Sequence, residues 1–227
     1  KDLKYDASGL IPAIIQDYKD GDGPWVVLGR SPVAKAATWH GYKRFRVEKE
    51  GHEAVEGAFF ARPGYDSELK VPLSPAGSLP PGMIRVQGDR PMIHLAGLSH
   101  VDTGTLADFF LDRFEVTNRQ YKAFVDASGY DRPEFWEGRL VKDGRTIPWK
   151  DGVKEFVDST GRPGPASWRL GDYPEGQAEY PVSGVSWYEA SAYAAFAGKR
   201  LPTCFHWIVA AGDYYVDSAY MVPSGNL

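Results

Sequence analysis

Two helix boundaries are written into residues 181–203, PVSGVSWYEASAYAAFAGKRLPT. The first N–H groups of a helix have no partner within it, so a helix starts most readily where a side chain supplies an acceptor. Ser186 is such an acceptor, and Glu189, three positions on, completes a capping box. Trp187, Ala190, Ala194 and Ala197 recur at helical spacing, which predicts a helix with Trp187 on its core face, and Gly198 supplies the stop. Lys199-Arg200-Leu201 reads as a short strand-like link. Thr203 can then cap a second helix, with Pro202 just before it and Trp207 placed for a staple contact.

The same signals recur upstream. Thr117 and Gln120 form a capping box, and Val116 and Tyr121 a hydrophobic staple. The helix they open has Tyr121, Phe124 and Val125 on its apolar face and is expected to end near Gly129. Residues 130–180 are rich in Gly, Pro and aromatics and show no sustained period. Unstructured loops of that length are unusual in compact domains, so packing must hold this stretch, with Trp136, Trp149 and Trp168 as its anchors.

The N-terminal part has a different grammar. Residues 25–28, 42–47 and 53–60 read as short strands punctuated by Gly29, Gly41 and Gly51. They predict a small antiparallel β-module over residues 23–72, preceded by a segment at 1–22 in which Leu10–Tyr18 reads as one short amphipathic helix. VPLSPAGSLPPG, residues 71–82, holds four prolines and two glycines and reads as a linker or domain edge.

Charge and composition narrow the function classes. A net charge of −4 without a basic stripe gives no electrostatic case for nucleic acid or for an anionic membrane. No apolar run approaches the roughly 20 residues of a membrane helix, so insertion by this chain is not expected. Lys1-Asp2-Leu3-Lys4 does not read as a secretory leader, leaving a cytoplasmic protein or a piece whose targeting segment lies elsewhere. The chain's one cysteine, Cys204, rules out an intrachain disulfide. No phosphate-binding glycine loop and no nucleophile elbow can be read from it.

Three blocks, in order, carry a family resemblance: Pro81-Gly82-Met83-Ile84-Arg85-Val86, then Phe114 to Tyr121 followed by Phe124, then residues 181–203. Together they resemble the formylglycine-generating enzyme (sulfatase-modifying factor) superfamily. The resemblance implies an α+β, C-type-lectin-like fold over residues 80–227, read as the N-terminal portion of such a domain. Leu201-Pro202-Thr203, two residues, then His206-Trp207 looks like a branch of the family fused to bacterial serine/threonine kinases. Residues 24–32 and 41–56 resemble the bacterial PEGA module, a small antiparallel β-sandwich found in surface proteins and beside sensor domains, although the tetrapeptide that names it is missing.

What the resemblance implies about chemistry can be weighed residue by residue. Its oxidising members hold copper with a pair of cysteines and activate oxygen there. Cu(I) prefers soft thiolates, and one thiolate is not a pair. Cys204 therefore reads as a half-buried small residue in a helix's first turn. The iron-dependent sulfoxide synthases of the family need a histidine cluster, whereas His40, His52, His94, His100 and His206 show no close helical pair. His94 and His100 with Asp102 could meet only if a loop folded back, and His206 reads as structural rather than as a ligand contact. Calcium, held by oxygen atoms, is the more plausible ion, and Asn226 is its candidate ligand. A turn asparagine after Gly225 is an equal reading. Trp136, Trp149, Trp168 and Trp187 could form a stacking platform for a carbohydrate or peptide, but large aromatics more often belong to the core.

No catalytic and no cofactor-binding residue is expected. The resulting expectation is a non-catalytic sensing or binding region of a larger bacterial protein, attached to a serine/threonine kinase, outside the membrane that anchors it. Its ligand would be a protein, a small molecule or a carbohydrate. The apolar surface left by two capped helices without their remaining sheet partners predicts a homodimer, a swapped partner or further chain that covers it. The alternative is part of an oxidase of the same fold whose active residues lie beyond Leu227.

Overall fold

A computed structural model describes residues 12–17, 26–33, 41–61, 64, 69–90, 104–136, 138 and 140–211. They fall into two compact units, one contributed by residues up to Leu111 together with the helix from Cys204, the other by Asp112–Thr203. It is a mixed α/β chain with small antiparallel sheets.

The first unit opens with a four-stranded antiparallel sheet. Its strands are β1 (Pro12–Asp17), β2 (Val26–Arg30), β3 (Gly41–Val47) and β4 (Val55–Ala61), in the order β2-β1-β3-β4. The helix expected at Leu10–Tyr18 is corrected here: its middle is β1, an inner strand. Ile14 and Ile15 are β-branched and suit a pleated surface. Pairing on both sides, with Val27 and Val26 on β2 and with Arg46 and Phe45 on β3, outweighs the propensity of so short a helix. Beside it, Phe45 needs Gly57 on the neighbouring strand, because a Cβ there would come within 2.5 Å of the ring. Phe45, Val47 and Val71 form the core of this unit, flanked by Leu28, Val55, Leu69 and Leu73.

Two further strands, β5 (Met83–Val86) and β6 (Phe109–Asp112), pair with each other. Asp108 ties them to the following turn: it accepts from Arg85 and, at 2.8 Å, from the Gly88 N–H. The Gly88 N–H, then the Arg85 guanidinium, hold the Asp108 carboxyl below the usual carboxylate range.

The second unit contains α1 (Asn118–Asp126), the hairpin β7 (Leu140–Lys142) and β8 (Arg145–Ile147), α2 (Trp149–Gly152), α3 (Trp187–Phe196), and three 3₁₀ turns at residues 129–131, 133–135 and 153–155. The last helix, α4 (Cys204–Ala211), belongs with the first unit. Both expected capping boxes form: Thr117 with Gln120 on α1, Ser186 with Glu189 on α3. α3 stops at Ala197, with Gly198 in the left-handed region at φ 69°. At the end of α1 the left-handed residue is Ser128, at φ 57°, not Gly129. Gly129 is required for another reason: a Cβ there would lie 2.0 Å from the ring of Phe124, which is fully buried.

The long segment without a period is held as expected by its aromatics. Trp136 and Trp168 join Tyr121, Phe124, Tyr130 and Ala192 in one buried cluster, with Trp149 and Phe156 packed against it. Trp187 is the exception and a correction: it sits on the first turn of α3 with 62% of its surface exposed. The inward contacts of α3 are made instead by Tyr188, Ala192, Tyr193 and Phe196. No helix among the described residues is long and apolar enough to cross a membrane.

Candidate functional site

The most highly organised part of the second unit is the meeting of α1, α3 and the irregular chain between them. α1 begins with two N–H groups that its own turns cannot satisfy. They are taken by the loop that follows Pro174: the N–H of Asn118 donates to Tyr180 O and that of Arg119 to Ala178 O, both at 2.9 Å. The buried Asn118 side chain completes the junction. Its Nδ2 donates to Gln177 O and its Oδ1 accepts from the indole Nε1 of Trp168, again at 2.9 Å.

A second buried junction joins α1 to α3. Glu189, the N3 residue of the capping box, spends one carboxylate oxygen on the Ser186 N–H at 2.7 Å and the other on the hydroxyl of Tyr130 at 2.6 Å. With the proton of Tyr130 committed to Glu189, Tyr121 is the donor in the 3.1 Å contact between the two phenols. Burial pushes both hydroxyls well above the ordinary tyrosine range, so they act as neutral donors. Nothing in the sequence pattern pointed to this chain, because the capping box accounts for Glu189 on local grounds alone. A tyrosine nine residues after another gives no periodic signal.

The third junction is a loop gathered by Asp158. Its Oδ1 accepts from the N–H and hydroxyl of Thr160, both at 2.7 Å, and from the N–H of Arg162 at 3.0 Å, and its Oδ2 accepts from Gly171 N–H at 2.7 Å. Burial acts to raise this carboxyl, but the donors outweigh it and hold it well below the usual carboxylate range. The Asp-x-Thr spacing is a turn signal that could have located it. A second missed signal is Asp143-Gly144, the two-residue turn between β7 and β8, with φ of 49° and 73°.

The residues weighed from the sequence are dispersed or lie outside the described residues. Asn226, the expected calcium ligand, lies outside, as do His40, His94, His100 and Asp102. His52 contacts Glu50 O through Nδ1, and His206 meets the ring of Phe109 edge-on with centroids 4.7 Å apart. Cys204 is the first residue of α4 and is exposed, not half-buried. Its place at the start of the helix leaves no preceding turn to cover it. Among the described residues no three His, Cys, Asp or Glu side chains come together as a metal group. A two-thiolate copper site does not fit a chain with one cysteine.

The tryptophans do not form a platform, since Trp136 and Trp168 are buried. The second unit exposes Phe114, Val141, Leu170, Tyr180 and Trp187. Of these, Val141 donates its N–H to the hydroxyl of Tyr188, whose ring lies 5.4 Å from that of Trp187. Chemically this is apolar contact area on a frame whose buried Asn118, Asp158 and Glu189 side chains are hydrogen-bonded, whereas the buried Trp149 Nε1 has no partner among the described residues.

Residues 71–225 match the family described as sulfatase-modifying factor enzyme 1-like domain. The chain is 35% identical over 159 residues to the formylglycine-generating enzyme of Thermomonospora curvata, covering 66% of this chain and 52% of that protein. It is 39% identical over 123 residues to the serine/threonine-protein kinase Pkn1 of Chlamydia trachomatis, covering 54% of this chain and 17% of the kinase. To the hercynine oxygenase of Mycolicibacterium smegmatis it is 34% identical over 106 residues, covering 45% and 22%. The chain thus spans about half the length, or less, of these relatives.

Proposed function

The chain belongs to the sulfatase-modifying factor enzyme 1-like domain family, and from that membership we propose that it is a non-catalytic sensing or ligand-binding region of a larger bacterial protein, attached there to a serine/threonine kinase. The observation that carries this reading is the single cysteine of the whole chain. Copper chemistry of the kind the family resemblance implies draws on two thiolates, and Cys204 has no second thiol to act with. Likeness to the Chlamydia kinase Pkn1 supports the kinase attachment. Exposed Trp187 and Val141, on a unit whose interior is closely packed, suit a protein or carbohydrate ligand that gains from an aromatic contact.

In the same reading, the family portion has a C-type-lectin-like fold, the N-terminal sheet is part of a PEGA-like β-sandwich, and the region lies outside the membrane that anchors the intact protein. Calcium held through Asn226 and a homodimer belong to the proposal as well. The second reading, favoured by the likeness to formylglycine-generating enzymes and hercynine oxygenase, is an oxygen-using enzyme of this fold whose active residues are not in this chain.

Copper titration followed by oxygen uptake on a cysteine-containing peptide tests the non-catalytic reading of this chain. The intact open reading frame separates the two readings, a further cysteine pair in it favouring the enzyme. The binding reading expects no turnover at any copper loading. Oxygen consumption coupled to peptide oxidation would falsify it.

A further inference from the structure

The Asp158 loop combines an exposed lobe, a left-handed leucine and a single organising carboxylate. Its outer lobe, residues 159–163 and 169–172, is almost wholly exposed, while Gly164, Pro165 and Trp168 between the two arms are buried. Within that lobe Leu170 is 58% exposed and adopts φ 57°, a left-handed conformation that a branched, bulky residue avoids. Both backbone polar groups of Leu170 are held by side chains: its N–H donates to Thr160 Oγ1 at 3.0 Å and its carbonyl accepts from Arg162 Nη1 at 2.7 Å. The next N–H, of Gly171, goes to Asp158. One carboxylate therefore organises both arms, since it also fixes Thr160 and the backbone of Arg162.

We propose that residues 158–172 form a strained latch: a lobe shut by the Asp158 carboxylate through Thr160 and Arg162, poised to open as a unit while Trp168 stays seated in the core. The lobe has hydrogen bonds but little apolar burial to keep it closed, which is the physical description of a segment that opens well below the global unfolding free energy. The left-handed Leu170 pushes toward opening, because release lets it return to a favoured conformation. Trp168 resists, since its ring is fully buried and its indole is bonded to Asn118. Ser159, whose N–H and hydroxyl both donate to Trp168 O, stays with it. Opening is thereby confined to residues 160–163 and 169–172, and a ligand that prefers one state would shift the population toward it. This latch does not depend on the reading of the chain as non-catalytic.

Amide hydrogen exchange on the intact chain tests it. The N–H groups of Thr160, Arg162, Leu170 and Gly171 should exchange together, at least tenfold faster than those of Tyr121 and Ala192. Thr160→Val, which removes the hydroxyl at nearly constant volume, should accelerate that group by a further tenfold or so while leaving the core amides unchanged. Leu170→Gly, which relieves the left-handed strain, should slow the group and leave or raise Tm. Exchange of the lobe amides in step with the core amides, or a Tm lowered by Leu170→Gly, overturns the proposal. Should Thr160→Val fail to fold, the wild-type rates and the Leu170→Gly comparison decide it alone.

Discussion

At the scale of single residues, the close approaches matter more than the conformational freedom of glycine. Gly129 is the clearest case: a methyl group there would occupy the space of the buried Phe124 ring. Gly129→Ala should therefore destabilise the second unit by roughly 1–3 kcal/mol through overpacking. Urea unfolding followed by aromatic fluorescence measures this, and a change under about 0.5 kcal/mol would show that the ring can yield. Asp158 makes the second residue-scale prediction, and it concerns pH. Its folded-state pKa is depressed, so the carboxylate binds protons less readily in the folded chain than in the unfolded one. The stability it contributes is present above the unfolded value of about 3.9 and is lost as pH falls toward the lower folded value. Asp158→Asn should flatten that acid limb of Tm against pH. An unchanged limb would mean that another carboxylate governs it.

At the scale of elements, the helices are specified locally and positioned remotely. Ser186 accepts from Glu189 N–H, and Glu189 returns the bond to the Ser186 N–H. Ser186→Ala removes only the first of these, so α3 should lose about 1 kcal/mol. That corresponds to a fall in Tm of roughly 2–4 °C, readable by circular dichroism. A drop much larger than this would indicate that Ser186 also supports the Glu189–Tyr130 bond. The capping boxes, the Gly198 stop and strands β3 and β4 were legible because each is encoded within a few neighbouring residues. β1 was not. Residues 12–17 read as part of a short amphipathic helix, and pairing with β2 and β3 on both sides, which no local window shows, makes them a strand. Trp187 misled for a related reason: helical spacing says which residues share a face, not which of them the neighbouring chain covers.

At the scale of the whole molecule, the two units have separate cores. Phe45, Val47 and Val71 form one, and the cluster around Tyr121, Phe124 and Trp168 the other, with no residue in common among the described residues. Phe45→Leu and Phe124→Leu should each cost roughly 1–3 kcal/mol. Because no described residue packs against both, the double variant should equal their sum within about 0.5 kcal/mol in chemical denaturation. A coupling energy well outside that range would show that the cores communicate. The candidate site was less legible than the fold. Of the candidate residues, Asn226 and three histidines lie outside the described residues, and Cys204 and His206 belong to no group of three His, Cys, Asp or Glu side chains among the described residues.

Taken by itself, the amino-acid sequence determined where α1 and α3 begin, where α3 stops, that one thiol is present, and to which family the order of its motifs points. These are properties of short windows or of plain composition, set by hydrogen-bonding groups a few residues apart. Only the tertiary structure decided that Glu189 serves a buried tyrosine chain as well as its own helix, that Asp158 gathers two arms of a loop, and that Trp187 faces outward. Each of these depends on groups distant in sequence becoming neighbours, and burial and pairing between such groups have no local signature.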